Sequence, residues 1–309
     1  MKLREVKMER KIVLKVDGLR KTYKKHAVLD GVNMTIYKGD IYGFVGRNGA
    51  GKTTLIRAIS GLIYTDGGEF ELLGVSNKSS RINAARRRTC SMVESPSIYP
   101  ELSAYDNMKA QCIILKKPVS RIPELLEYVG LGETGRKPAG NFSLGMRQRL
   151  YIAMSLISDP EFMLLDEPIN GLDPEGIKSV RELLIKLNQD KGITILISSH
   201  ILTELSLLAT RYGFIDNGRV IKEVTAEEIH KATAKKSILT VTDTKKAIEC
   251  LENLGYKAYL EEGRIYTERN IDLMKVCKSF DLCGVYLEHY DSESIELEDY
   301  FLSLIGGEK

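Results

Sequence analysis

Between the apolar run Ile41-Tyr42-Gly43-Phe44-Val45 and a stretch of helical periodicity lies the segment Gly46-Arg47-Asn48-Gly49-Ala50-Gly51-Lys52-Thr53. Few short segments restrict a fold more tightly. Its glycines let the backbone curl so that successive N–H groups converge on one point. The helix that follows, marked by Leu55, Ile56, Ile59 and Leu62 on one face, aims its positive end at the same point. The pattern is G-x-x-x-x-G-K-[ST], and its chemistry is that of a phosphate cradle. Lys52 supplies a mobile cation for β- and γ-phosphates, the Thr53 hydroxyl offers an oxygen to Mg²⁺, and Thr54 adjoins them. A strand before the loop and a helix after it are what the motif requires, so an α/β architecture is expected.

The 309 residues, 43% hydrophobic and 28% charged, suffice for about two domains, because single cores seldom grow beyond ~250–300 residues. Apolar runs at 12–16, 32–36, 41–45, 90–93, 162–165 and 193–197 read as strands. Lys38-Gly39-Asp40 and Gly67-Gly68 read as turns, the second ahead of a strand at 70–73. Between 103 and 158 helical periodicity takes over, punctuated by Pro118, Pro123, Pro138 and Gly140. A helix from about 175 to 187 and an Asn217-Gly218 hairpin between 212–215 and 219–221 follow. Beyond residue 230 the rhythm becomes β-α-β-β-α-β with a closing helix, the order of a ferredoxin-like unit. Its strands fall at 238–241, 257–260, 264–267 and 285–289, its helices at 245–254, 272–279 and 295–304. The expected division is a nucleotide-binding domain at 1–230, with a helical subdomain at about 96–160, and a small α+β accessory domain at 231–309.

Charge follows the same division. Residues 231–309 hold 11 Lys/Arg and 15 Asp/Glu, a net of −4, so the remainder carries +7 of the overall +3. The basic body suits an anionic ligand. It has no Lys/Arg-dense tail, and its tightest cluster, Arg86-Arg87-Arg88, reads as a solvated helix end, so no nucleic acid partner is expected. No apolar run reaches the ~18 residues of a membrane helix; the most apolar window, 193–209, is broken by Ser198, Ser199, His200, Thr203 and Glu204. The first ten residues carry charge without an apolar h-region, so secretion is not expected. Five cysteines (Cys90, Cys112, Cys250, Cys277 and Cys283) include no C-x-x-C pair, which suggests neither a disulfide framework nor a zinc site and suits a reducing cytosol.

A second motif, Phe162-Met163-Leu164-Leu165-Asp166-Glu167, is a buried-strand run ending in paired acids. Asp166 at the sheet's carboxyl edge can hold Mg²⁺ through water, and Glu167 can polarise an attacking water. Ser143, followed by Gly145 at the start of the helical stretch 146–158, is an N-cap arrangement whose helix end can face an anion.

Together these segments resemble the nucleotide-binding ATPase of ABC transporters, over roughly residues 12–230. Phe142-Ser143-Leu144-Gly145-Met146-Arg147-Gln148-Arg149 resembles the family signature, Gly171-Leu172-Asp173 its D-loop, and His200 its switch histidine. The resemblance implies that Tyr23 stacks on adenine and that Ser143, Leu144, Gly145 and Met146 act on the ATP of a partner subunit. It also implies that Asp173 belongs to the D-loop contact and that His200 joins Lys52 and Glu167 in catalysis. Leu144 and Met146 replace the more usual Gly and Gln, and Glu94 stands where a glutamine is general, as a further Mg²⁺ ligand. These departures, with a C-terminal part ending in Leu297-Glu298-Asp299-Tyr300-Phe301, resemble the bacitracin- and lantibiotic-resistance branch.

The implied protein has the P-loop NTPase fold and dimerises around Mg-ATP, as a homodimer or with a homologous ATPase. It powers a separately encoded integral membrane permease from the inner, cytoplasmic face of the cell membrane, exporting peptide antibiotics or similar substrates. The alternative is a soluble ABC ATPase acting on ribosomes or nucleic acid. Ribosomal relatives carry two ATPase units and chromosomal ones a long coiled coil, and this sequence has neither feature. A phosphate-loop kinase would leave the signature and His200 unexplained.

Overall fold

The apolar runs sort into three sheets. The computed structural model describes residues 10–93, 98–233, 236–293 and 297–306. The chain divides into two compact units, Met1–Thr225 and Ala226–Lys309. The division falls at 225/226, ahead of the expected 230/231, with the helix Ala226–Ala232 on the side of the second unit.

In the first unit a six-stranded sheet runs in the order Arg219–Thr225, Arg211–Asp216, Ile41–Val45, Thr194–Ser199, Phe162–Asp166, Thr89–Met92. Every neighbouring pair is parallel except the hairpin Arg211–Asp216/Arg219–Thr225. Ile41–Val45, Phe162–Asp166 and Thr194–Ser199 are buried at every position. Strands covered on both faces cannot alternate, which is why they appear in sequence as unbroken apolar runs. Register then fixes the chemistry: Val45 pairs with Ser199, and Asp166 with Ser198. Three strands therefore end at one edge, beside the point where the sheet order reverses, the usual place for a ligand in an open α/β sheet.

An antiparallel sheet in the order His26–Tyr37, Ile12–Tyr23, Gly67–Leu72, Val75–Ser76 shares its core with this one. Leu14, Val16 and Phe70 of the antiparallel sheet, Leu55, Ile56 and Ile59 of the helix Lys52–Ser60, and Phe44, Leu164 and Leu196 of the parallel sheet form a single cluster. The strand Ile12–Tyr23 runs well past the apolar segment 12–16, with a shift of register between Val16 and Leu19. Gly67-Gly68, expected as a turn, lies inside the strand Gly67–Leu72. Gly68 has φ +74°, and a Cβ there would sit 2.2 Å from the carbonyl oxygen of Gly18. The glycine marks a close backbone approach at a bulge, not a reversal of the chain.

Two more expectations change at the helix Lys52–Ser60. It stops at Gly61, so Leu62 leaves the buried face and is 63% exposed. Within the arginine cluster Arg86 is half-buried, its Nε donating to the Ile59 carbonyl at 3.0 Å, whereas Arg87 and Arg88 remain exposed, Arg88 pairing at the surface with Glu161 at 2.6 Å. Burial lowers the Arg86 guanidinium pKa. The helices Ala104–Leu115, Ile122–Tyr128 and Leu144–Leu156 occupy the region of helical periodicity. Among the described residues no helix is long and apolar enough to cross a membrane.

The second unit has an antiparallel sheet in the order Ala258–Glu261, Arg264–Thr267, Lys236–Val241, Leu287–Glu293. The helices Thr244–Asn253 and Leu273–Cys283 pack on it through Ala247, Leu251, Val276 and Phe280, against Leu239 and Ile265. Val285, expected in the last strand, is buried just before that strand begins at Leu287. The helix Leu297–Gly306 closes the described chain.

The Gly68 contact yields a test. Gly18, at φ +58°, has open space where its Cβ would be, so Gly18→Ala should cost only the left-handed penalty of about 1–2 kcal/mol. Gly68→Ala adds a backbone collision and should cost about 3 kcal/mol or more. Urea unfolding of the two variants, followed by circular dichroism, checks that order.

Candidate active site

The loop after Val45 is shaped by contacts behind it. Gly51 has φ +110°, and a Cβ there would lie 2.7 Å from the carbonyl oxygen of Val28. Only glycine lets the loop close against the strand His26–Tyr37. The tip of the hairpin between Arg211–Asp216 and Arg219–Thr225 closes in from the other side: Gly218 N donates to Ala50 O at 3.1 Å, and Asp30 N donates to Gly218 O at 2.9 Å. Lys52 opens the following helix and is only 6% exposed. Its ammonium folds back over the loop, donating to Gly46 O at 2.6 Å and Arg47 O at 3.3 Å, and lies 3.4 Å from Glu167 Oε1.

The acids meet the loop through short hydrogen bonds. Thr53 Oγ1 donates to Asp166 Oδ2 at 2.6 Å, and Ser198 Oγ donates to Asp166 Oδ1, also at 2.6 Å. Glu167 N donates to Ser198 Oγ at 3.0 Å and to Ser198 O at 3.2 Å. With φ +49° Glu167 sits in the left-handed region, a conformation that costs about 1–2 kcal/mol for a residue with a Cβ. The turn brings its carboxylate across to Lys52 and to His200, whose Nδ1 lies 2.9 Å from Glu167 Oε2.

A cavity of about 320 Å³ opens over these groups. Its described lining includes Arg47, Asn48, Gly49, Gly51, Lys52, Thr53, Thr54, Glu167 and His200 of the expected residues. Within the same loop the Gly46 carbonyl accepts from Lys52 and the Ala50 carbonyl from Gly218, and Asp166 is reached through Thr53. Val28 and Asn170 also line the cavity without having been foreseen. Ser198 was missed as well; its one signal was a small hydroxyl residue in an apolar run, and its place across from Asp166 comes only with the sheet register. The donor set fits Mg²⁺: a hydroxyl and a carboxylate oxygen converge beside a phosphate-sized space, and this hard cation takes few protein ligands, completing its shell with phosphates and water. Among the described residues no cluster of three or more His, Cys, Asp or Glu forms a self-sufficient metal cage.

Other expected residues gather elsewhere. Ser143 caps the helix Leu144–Leu156, its Oγ accepting from Met146 N at 3.2 Å. A Cβ on Gly145 would meet the Gly176 Cα at 3.3 Å, in the helix Pro174–Lys191, which Asp173 caps through Gly176 N at 3.1 Å. Ser143, Leu144, Gly145, Met146 and Asp173 thus belong to a second cluster, and the described lining of the cavity includes none of them. Nor does it include Tyr23, 43% exposed at the end of the strand Ile12–Tyr23, with the Lys21 ammonium 5.4 Å from its ring centre. Glu94 falls outside the described residues. The strand Thr89–Met92 before it is tied to the signature helix, because Tyr151 Oη donates to Ser91 O at 2.6 Å and Gln148 Nε2 lies 3.2 Å from Met92 Sδ.

Comparison with known proteins identifies the family. Residues 29–170 match the ABC transporter family. The chain is 38% identical to the bacitracin transport ATP-binding protein BcrA of Bacillus licheniformis, over 96% of this chain and 98% of that protein. It is 46% identical to the lantibiotic transport ATP-binding protein SrtF of Streptococcus pyogenes, over 68% of this chain and 90% of that one. The dimeric structure of MJ0796, a bacterial ABC transporter cassette, matches with a TM-score of 0.61 at 25% identity, covering 69% of this chain and 98% of that chain. The fold is that of a P-loop NTPase, and the chain belongs to the family of ABC transporter ATPases, the ATP-binding and ATP-hydrolysing subunits of transporters.

Proposed function

We propose that this subunit closes with a second copy, or with a homologous ATPase, around Mg-ATP and drives a separately encoded membrane permease that carries peptide antibiotics or similar substrates. The observation that carries the pairing is the separation of the two clusters. Among the described residues, the cavity is lined by its own acid and lysine and by none of Ser143, Leu144, Gly145 and Met146 at the start of the capped helix. Two chains in reciprocal orientation bring each capped helix to the other's cavity, and the dimeric cassette among the solved relatives supports this reading. The substrate class rests on the names of BcrA and SrtF; the accessory role of residues 231–309 rests on the near-complete match to BcrA, and their ferredoxin-like character on the β-α-β-β-α-β order and the antiparallel sheet of the second unit. The site of action is the cytoplasmic face of the membrane, as a peripheral subunit.

The chemistry follows from the contacts. The loop's N–H groups and Lys52 hold the phosphates; Thr53 and Asp166 hold Mg²⁺, with Glu94 proposed as a further oxygen ligand, and Tyr23 is proposed to stack on adenine. An ion held there would offset the negative charge of the phosphates. Glu167 accepts a proton from the water that attacks the γ-phosphorus, as the bond from that phosphorus to the bridging oxygen breaks. His200 fixes the orientation of the carboxylate through Oε2. Lys52, drawn to the phosphates, releases Oε1 for the incoming proton.

Lys52→Ala is expected to lose productive ATP turnover. Glu167→Gln should retain nucleotide while hydrolysis falls by ~10²–10⁴, and it should accumulate as a dimer in Mg-ATP; a strictly monomeric species by light scattering would refute the pairing. Ser198→Ala removes one hydrogen bond to Asp166 and one to the Glu167 backbone. At about 1.5–3 kcal/mol for a hydrogen bond to a charged group, kcat should drop about 10–100-fold. The Mg²⁺ requirement should rise, the KM for ATP should change little, and Ser198→Thr should recover activity. The transport assignment is checked by affinity purification from membranes: a polytopic permease should accompany the tagged protein, and recovery with ribosomes instead would overturn it.

A further inference from the structure

Two cysteines that sequence spacing does not connect meet inside the second unit. Cys250 and Cys283 are 33 residues apart in the chain, and their sulfurs lie 2.9 Å apart. Cys250 sits in the helix Thr244–Asn253, 4% exposed, within the apolar cluster of Ala247, Leu251, Val276 and Phe280. Cys283 is the last residue of the helix Leu273–Cys283 and is exposed. Two unbonded sulfurs do not rest comfortably so close, and a disulfide forms at about 2.05 Å. The remaining gap is under about 1 Å, between two helices that already pack together. A metal does not account for the approach, because among the described residues no group of three or more His, Cys, Asp or Glu surrounds one.

We propose that Cys250 and Cys283 are a reversible oxidation site, a dithiol that a peroxide converts to an intrachain disulfide. The exposed partner reacts first: Cys283 sulfur, as thiolate, attacks one peroxide oxygen, the O–O bond breaks, the other oxygen leaves as hydroxide and takes up the proton the thiol had released to become water, and Cys283 becomes a sulfenic acid. Cys250 sulfur then attacks the Cys283 sulfur. The S–S bond forms, the sulfenic hydroxyl leaves, and it departs as water with the Cys250 proton. Two electrons from the two sulfurs reduce one peroxide, and a small thiol reverses the change by exchange. Burial, reinforced by the neighbouring Cys283, pushes the Cys250 thiol up, which suits the second role better than the first. The bridge would pin the end of one helix to its neighbour and enclose the hairpin Ala258–Glu261/Arg264–Thr267 in a covalent loop. Intracellular disulfides of this kind are transient rather than structural, so the expectation that the cysteines build no disulfide framework and the present assignment are compatible.

The test uses the full chain. Hydrogen peroxide is added, excess is removed, and the unfolded protein is alkylated and weighed. The reduced chain has five cysteines to alkylate; after oxidation two should be lost together, with no oxygen added, and a small thiol should restore them. Proteolytic digestion should yield the peptide of Cys250 joined to that of Cys283. Cys283→Ser, a change at an exposed position, should abolish the paired loss and leave its remaining thiols reactive. The proposal is overturned if all thiols survive the peroxide, or if oxygen accumulates on separate cysteines without a link. It also fails if the link joins other cysteines or two chains, or if the paired loss persists in Cys283→Ser.

Discussion

A single hydroxyl holds the two acids of this site at fixed separation. Ser198 Oγ donates to the carboxylate of Asp166 and accepts the backbone N–H of Glu167. The acids are consecutive in sequence, yet the proposed function gives them different work, and an ordinary strand would point their side chains to opposite faces of the sheet. Placing Glu167 in the left-handed region breaks that alternation and carries its carboxylate to Lys52 and His200. Strain of that size persists where neighbouring bonds over-determine it. Here the Ser198 hydroxyl and carbonyl both receive the Glu167 N–H, and strand register puts Ser198 opposite Asp166. Sheet pairing thus sets the catalytic geometry before any flexible side chain contributes.

The same sheet explains why sites distant in sequence converge. Ile41–Val45 and Phe162–Asp166 lie on either side of Thr194–Ser199, so the phosphate loop and the acids flank the segment that ends in His200. The glycine-led helix Leu144–Leu156 instead packs its start on the helix Pro174–Lys191. The phosphate loop and the start of the helix Leu144–Leu156 therefore lie in separate clusters of one chain. Under the proposed pairing, chemistry divided between them would be conditional on a second molecule, which suits an engine that hydrolyses only when assembled.

Much of this was legible in the residues. Buried parallel strands advertise themselves as short apolar runs, and the phosphate loop carries its function in its glycines. The order of strands and helices in the C-terminal part could likewise be read from alternation and turn residues. Less legible were features that depend on what comes near in space. Gly67-Gly68 carries the composition of a turn, but the approach of Gly18 makes it part of a strand. Leu62 continues the helical period on paper, but the helix has already stopped at Gly61. Ser198 looked like a polar interruption of an apolar run, since nothing local reveals which strand will lie beside it. The meeting of Cys250 with Cys283 depends on the packing of two helices, which spacing along the chain does not encode.

The hairpin tip at Asn217-Gly218 has a consequence for how this protein can vary. Loop tips between antiparallel strands are ordinarily where chains accept insertions, tags and drift most readily. This one lies backbone to backbone against Ala50 and Asp30, and a Cβ on Gly218 would sit 2.6 Å from the Val28 carbonyl oxygen. It is the rear wall of the phosphate loop. An added residue there would not bulge harmlessly into solvent; it would lever the loop forward into the space the phosphates need. A position that looks like the most expendable turn in the sheet is therefore as constrained as the loop residue it braces, Ala50.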